Sequence, residues 1–214
     1  MTATDAPARA KSAQVWERDP HDWYVEPSSA TRALLGAEKL VGPTLDPCCG
    51  GGNIPAALIE AGLDVYGTDL VNRHGAQNPS WWLGTHDFMQ GHPAGDEPVD
   101  LPPVTNVVMN PPFYRAVGAE AFIRRALSIA TGKVCAFVDV RFLAGDKRAN
   151  GIFAEYPPHR VWVITPRVSC PPGAYLAAGG KASGGTADWC WMVWNMSEPP
   201  PVDTKFGWLR GVRG

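Results

Sequence analysis

The chain has 214 residues, a net charge of −2 and a content of 45% hydrophobic and 19% charged side chains. This length suits one α/β domain with a full core and is too short for two substantial ones. Its five cysteines have no C-x-x-C or Cys/His ligand spacing, which excludes a disulfide framework and a zinc site and fits a reducing, cytoplasmic compartment. No run approaches the length of a membrane span, and residues 1–13 lack the apolar stretch of a secretion signal.

Charge is divided unevenly. Residues 1–114 hold 6 Lys and Arg against 14 Asp and Glu, and residues 115–214 hold 13 against 7, giving −8 and +6. An acidic half suits a cofactor and a basic half suits phosphates.

In chain order, residues 1–19 read as a flexible tail, 20–196 as a single domain and 197–214 as a C-terminal tail. Residues 44–47 form a short strand running into Cys48-Cys49-Gly50-Gly51-Gly52-Asn53. Residues 54–61 then form a helix with Asn53 as N-cap, Pro55 in its tolerant first turn and Gly62 as its stop. Residues 63–68 form a second strand ending at Asp69. Strand, glycine loop, helix and strand make a βαβ unit and imply a parallel sheet. Residues 71–101 read as irregular around a short strand at 83–88, with an acidic, proline-rich stretch from 92 to 103.

An apolar strand from Val104 to Met109 leads into Asn110-Pro111-Pro112-Phe113. Residues 119–130 follow as an amphipathic helix whose stripe is Phe122, Ile123, Ala126, Leu127 and Ala130. Strands at 134–140, 160–165 and 189–195 complete the pattern. The last of these, Trp189-Cys-Trp-Met-Val-Trp194, is apolar on both faces and reads as core. The glycine-rich segment 170–188 reads as either an ordinary long hairpin loop or a loop that orders on substrate.

Two groups of residues carry the chemistry. The first is Asp46-x-x-x-Gly50-x-Gly52 with Asp69 at the next strand end. Backbone N–H groups and missing side chains let a ligand approach the loop, and a second acid is placed for ribose hydroxyls. Pro55 breaks a dinucleotide G-x-G-x-x-G fingerprint, and no Gly-Lys-Ser/Thr phosphate loop exists. S-adenosylmethionine has the ribose and no phosphate, and it fits this set. Asp46 falls near its methionine part, and Asp87-Phe88 are placed for its adenine.

The second group is the tetrapeptide. An exocyclic amine on a heteroaromatic ring shares its lone pair with the ring and attacks an electrophilic methyl poorly. Two oxygens accepting its N–H bonds localise that lone pair. The Asn110 amide and the Pro111 carbonyl are such acceptors, held in direction by the prolines. Phe113 adds a ring face for a base, on the order of 1–3 kcal/mol by analogy with single-strand binders, against the few kcal/mol needed to extrude it from a duplex.

Together these motifs resemble the bacteriophage-type DNA N6-adenine methyltransferases of the class I, Rossmann-like superfamily. Asp46-Pro-Cys-Cys-Gly-Gly-Gly52 is similar to the first cofactor motif, and Asn110 to Phe113 to the catalytic (Asn/Asp)-Pro-Pro-(Tyr/Phe) motif. Asp22-Trp-Tyr-Val-Glu-Pro27 resembles the N-terminal segment that closes over the methionine end. Tyr156-Pro-Pro-His-Arg-Val-Trp162, Arg167-Val-Ser-Cys170 and the tryptophan-rich strand are also similar, so the resemblance spans most of residues 20–196.

It implies a three-layer αβα sandwich around a mostly parallel seven-stranded sheet whose last strand is antiparallel. It implies direct transfer from S-adenosylmethionine to adenine N6 in DNA, without a metal, in a bacterial or phage-infected cytoplasm. The catalytic residues would be Asn110, Pro111, Pro112 and Phe113. Cofactor contacts would fall to Tyr24, Pro27, Asp46, Pro47, Cys48, Gly50, Gly52, Asn53, Asp69, Leu70, Asp87 and Phe88. No separate target-recognition domain is expected, so site choice falls to loops at 141–152 and 170–188, with Arg141, Lys147, Arg148, Arg167 and Lys181 as nucleic-acid contacts. The alternatives are methylation of adenine or guanine in RNA, of protein glutamine, or a catalytically silent binding subunit. Cytosine-C5 chemistry is set aside because the catalytic position holds Asn110 and not cysteine.

Overall fold

In the computed structural model, residues 19, 21–90, 92–93, 100–113, 117–183 and 185–212 are described. Most of the expected N-terminal tail and residues 94–99 of the proline-rich stretch lie outside them. Nine strands form one sheet: β1 Thr44–Asp46, β2 Val65–Asp69, β3 Trp82–Asp87, β4 His92–Pro93, β5 Asn106–Met109, β6 Lys133–Asp139, β7 Arg160–Thr165, β8 Trp189–Asn195 and β9 Lys205–Arg210. Their spatial order is β4-β3-β2-β1-β5-β6-β8-β7-β9. The helices are α1 Ser28–Ala37, α2 Asn53–Glu60, α3 Val117–Ile129, α4 Asp146–Ala149, α5 Ile152–Glu155 and α6 Gly173–Ala177.

The seven expected strands form the continuous block from β3 to β7, parallel except for β8, which runs antiparallel to both β6 and β7. Two strands extend it at the edges. One is the two-residue β4 beside β3. The other is β9, parallel to β7 from Arg160↔Lys205 to Thr165↔Arg210. The segment 197–214 is therefore not simply a tail. Pro199 to Pro201 signal a linker, but the six residues of β9 gain their strand pairing from β7, and Gly207 leaves room for the Trp162 ring.

Alternation along β8 shows how the layers are built. Cys190, Met192 and Trp194 join the core under α3 and α5, where Ala119, Ile123, Ala126, Leu127 and Ile152 are buried. Trp191 and Val193 join the opposite core with Ala30 and Leu34 of α1 and Ile54 and Leu58 of α2. Both faces of the sheet are covered, and that is why the run is apolar throughout. Helix α1 went unread in the sequence because large apolar residues are sparse in Ser-Ser-Ala-Thr-Arg-Ala-Leu-Leu-Gly-Ala, and burial against α2 supplies what periodicity does not. Pro27, extended at φ −71° and ψ 140°, sets its start.

Residues 141–152 and 170–188 are also less irregular than expected. The first holds most of a 3-10 turn over Val140–Ala144 together with α4, and α5 begins at its end; the second holds α6.

Candidate active site

Strands β1, β2, β3 and β5 end on one rim. Parallel strands bring their carboxyl ends together, and ligands of open α/β sheets bind there. A cleft of about 290 Å³ opens at this rim. Lining it are Tyr24, Asp46, Pro47, Cys48, Gly50, Asn53, Asp69, Leu70, Asp87 and Phe88 from the expected cofactor set, with Asn110 and Pro112 from the tetrapeptide. Residues from 24 to 112 in sequence thus meet in one place.

The glycine loop takes its shape from left-handed backbone. Gly50 has φ +54° and Gly52 φ +91°, a region that costs an L-residue about 1–2 kcal/mol. Gly50 N–H donates to Asp69 Oδ2 at 2.8 Å, and Cys48 N–H donates to Asp46 Oδ1 at 3.2 Å. Gly52 precedes α2 as its cap residue and does not line the cleft. Asn53 is the first helical residue and not the N-cap, because its amide donates to the Glu26 carbonyl at 2.7 Å and ties the N-terminal segment to the loop. Pro27, the residue before α1, does not line the cleft.

That N-terminal segment roofs the cleft. Tyr24 and Pro172 form a β-bridge, Val25 N–H donates to the Pro171 carbonyl, and Gly173 N–H donates to the Trp23 carbonyl. The indole of Trp23 lies against Gly50 and Gly173, where a β carbon would collide with it. Arg73 stacks 4.5 Å over the same ring while its guanidinium donates to Asp69 Oδ1 at 2.5 Å. Part of the segment 170–188 therefore holds the roof down.

Asn110 is held by its nitrogen. Its Nδ2 donates to the Tyr24 carbonyl at 2.9 Å and to Glu26 Oε2 at 2.7 Å, while the Cys48 thiol donates to the Asn110 backbone carbonyl at 3.4 Å. Two acceptors on the nitrogen commit the amide oxygen to the other side. Pro111 is buried, and Phe113 is half-buried with its ring tilted 6.0 Å from Trp189. Neither lines the cleft itself.

The cleft is acidic. Burial pushes the Glu26 carboxyl up to about 7, against the lowering effect of its backbone and Asn110 hydrogen bonds. Burial also raises Asp46 well above the carboxylate range, with the nearby charge of Glu26 adding to it. Neither has an ion-pair partner among the described residues. Burial, and next the charge of Asp46, keep the Cys48 and Cys49 thiols protonated, which removes them as nucleophiles.

The remaining expected residues are placed as follows. Asp87 accepts from Met89 N–H and Gln90 N–H and from the Gln90 side chain, so its carboxylate closes its own turn. Phe88 is buried, 5.4 Å from Phe122 of α3. Arg141 pairs with Asp139, Arg167 with Asp188, and Arg148 donates to the Phe142 carbonyl and covers its ring. Lys147 and Lys181 have no ion-pair partner among the described residues.

Sequence reasoning missed Glu26, Trp23 and Arg73. Glu26 sits inside the quoted segment ending at Pro27, but a single glutamate in an irregular stretch carries no local signal of burial. Arg73 follows Asp69 by four residues, a spacing that could have raised the pair.

No family model matches the chain, and no curated protein matches its sequence. Solved structures do match its fold. A protein assigned as a class I S-adenosylmethionine-dependent methyltransferase from Listeria monocytogenes aligns over 85% of this chain and 64% of its own, at 13% identity and TM-score 0.54. A modification subunit assigned to a type I restriction enzyme from Vibrio vulnificus aligns over 86% of this chain and 46% of its own, at 12% identity and TM-score 0.57. A protein assigned as an RNA methyltransferase from Pyrococcus horikoshii aligns over 78% and 84%, at 13% identity and TM-score 0.50. The chain thus spans about two thirds of the first and under half of the second. Its fold is the Rossmann-like class I methyltransferase fold. One of these neighbours is assigned to RNA and another as a restriction enzyme's modification subunit, so the fold does not choose a substrate.

Proposed function

We propose that the chain is an S-adenosylmethionine-dependent methyltransferase acting on the N6 amine of adenine in DNA. The observation that carries the reading is the anchored amide of Asn110, in the same cleft as the Gly50 loop and Asp69.

The donor set fits the cofactor. Two buried carboxyl groups with no countercharge among the described residues favour a cationic ligand, and S-adenosylmethionine carries a sulfonium and an ammonium. Glu26 and Asp46 would face those charges, the Gly50 loop would approach the ligand closely, and Asp69 would take the ribose once Arg73 yields its oxygen. Leu70, Phe88 and Phe122 would flank the adenine. Bound there, the cofactor supplies an electrophilic methyl group.

The protein's own residues act on the acceptor. Asn110 Oδ1, turned away from Glu26 and Tyr24, accepts one N–H of the target amine, and the carbonyl of Pro111, a residue buried before the base is seated, accepts the other once it is. The nitrogen lone pair then localises, and the positive charge developing there meets oxygen dipoles already in place. After transfer the nitrogen sheds one of these protons to water. Phe113, beside Trp189, offers a ring face to the extruded base. Lys147 and Lys181, without an ion-pair partner among the described residues, would contact phosphates, and Arg141 and Arg167 can exchange their carboxylates for phosphates.

The test is mass analysis of nucleosides after incubation with S-adenosylmethionine and a mixture of DNA, RNA and cell protein. N6-methyladenine in the DNA supports the assignment. Methyl transfer confined to RNA or protein overturns it.

A further inference from the structure

Glu26 is out of place for an ordinary surface acid. It is 6% exposed, it has no cation beside it among the described residues, and its Oε2 accepts from Asn110 Nδ2 at 2.7 Å. Its own backbone carbonyl accepts from Asn53, so the residue is fixed at both ends, to the cofactor loop and to the Asn110 amide.

An ionised carboxylate only accepts hydrogen bonds, whereas a carboxylic acid both donates and accepts. Facing a carboxylate, an amide must present its NH₂. Facing an acid, it can present either end. The Tyr24 carbonyl, 2.9 Å from Nδ2, favours the NH₂ end in both cases, but it alone lacks the charge that makes the Glu26 bond strong. The ionisation of Glu26 therefore decides how firmly the Asn110 oxygen points into the cleft.

We infer that Glu26 is a positioning residue for Asn110, and that a cation bound in the cleft strengthens this positioning by holding Glu26 ionised. The second part rests on the S-adenosylmethionine reading given above; the first does not. The groups that face Glu26 are Asp46 at the end of β1, Cys48 in the loop and Cys170 beside the roof; Asp69, paired with Arg73, acts on Asp46. Burial opposes the ionisation of Glu26, whose charge in turn raises Asp46, and both thiols are held neutral, so Glu26 ionises only with difficulty when no cation is bound. A sulfonium or ammonium reverses that balance. Cofactor binding then expels a proton and sets the acceptor oxygen in one event.

Two measurements separate the parts. In the ligand-free protein, the side-chain amide resonance of Asn110, assigned by its loss in Asn110→Asp, is expected to shift with pH around neutrality. It should be flat in Glu26→Gln, whose amide oxygen still accepts from Asn110 without titrating. A resonance that ignores pH in the wild type overturns the positioning role. Calorimetry of S-adenosylmethionine binding in buffers of different ionisation enthalpy should then show proton release near pH 7 in the wild type and less in Glu26→Gln, where Asp46 is left to ionise alone. Binding without proton release overturns the coupling while leaving the cofactor reading intact, and no binding at all sinks that reading and the coupling with it, leaving the resonance titration to stand on its own. In turnover, Glu26→Gln should lower kcat and flatten its acid limb, and Glu26→Ala should lose about tenfold or more in kcat, the scale of one lost hydrogen bond to a charged group.

Discussion

Replacing Gly50 by alanine tests the loop and the roof together. At φ +54° an added methyl strains the backbone by about 1–2 kcal/mol. The new β carbon would also stand 2.7 Å from Nε1 and 3.0 Å from Cδ1 of Trp23, against an ordinary contact of about 3.5–4.0 Å. The indole must retreat by about 1 Å, and its contact with Arg73 weakens by roughly 0.5–1 kcal/mol. We expect Gly50→Ala to lose about 2–3 kcal/mol in urea unfolding, and S-adenosylmethionine affinity to fall at least tenfold by calorimetry. Trp23→Ala in the same chain removes the collision and leaves only the backbone cost. Gly36→Ala is the control. It lies in α1 with open space around a β carbon, and gains about 0.5–1 kcal/mol. Wild-type stability and affinity in Gly50→Ala would refute both the strain and the role of the loop.

Asn110→Ala is expected to fold and bind S-adenosylmethionine while methyl transfer falls by about 10²–10³-fold, by analogy with loss of one preorganised dipole; retained turnover would exclude Asn110 from the chemistry. Stability should respond to pH through Glu26. Its folded pKa of about 7 lies above the ordinary 4.5, so the folded state binds more protons between these values and stability falls as pH rises from about 4.5 to about 7. The linked change is roughly 3 kcal/mol, and thermal unfolding of Glu26→Gln across this range should lack it. Glu38 is buried and accepts from Lys133 at 2.5 Å and from Trp162 Nε1 at 2.8 Å, with Arg160 3.5 Å away. Glu38→Ala orphans all three and should cost about 3–5 kcal/mol in urea unfolding, as for a broken buried pair, far from the cleft and with cofactor affinity unchanged in the folded fraction.

Much of the fold was legible in the sequence because its signals are local. The β7 and β8 spans read as they stand, since apolar runs bounded by turn residues mark buried strands. The βαβ unit was legible from the glycine loop and Gly62, whose φ of +83° ends α2. Helix α1 and strand β9 were not, because each gains its stability from a neighbour distant in sequence. The glycine loop and the tetrapeptide were legible as motifs because their backbone needs proline and glycine at fixed positions.

By itself the sequence determined which chemistry the chain is equipped for: an acid at each of two strand ends, a glycine loop between them, and an amide braced by prolines. Only the tertiary structure decided how these groups face one another. Glu26 lies 84 residues from Asn110 in sequence and 2.7 Å from it in space, and its unusual ionisation exists only once the roof strapped to Pro171 and Gly173 shuts out water. Residue type sets what a side chain can donate or accept, but burial and proximity set its charge, and these follow from the packing of the whole chain.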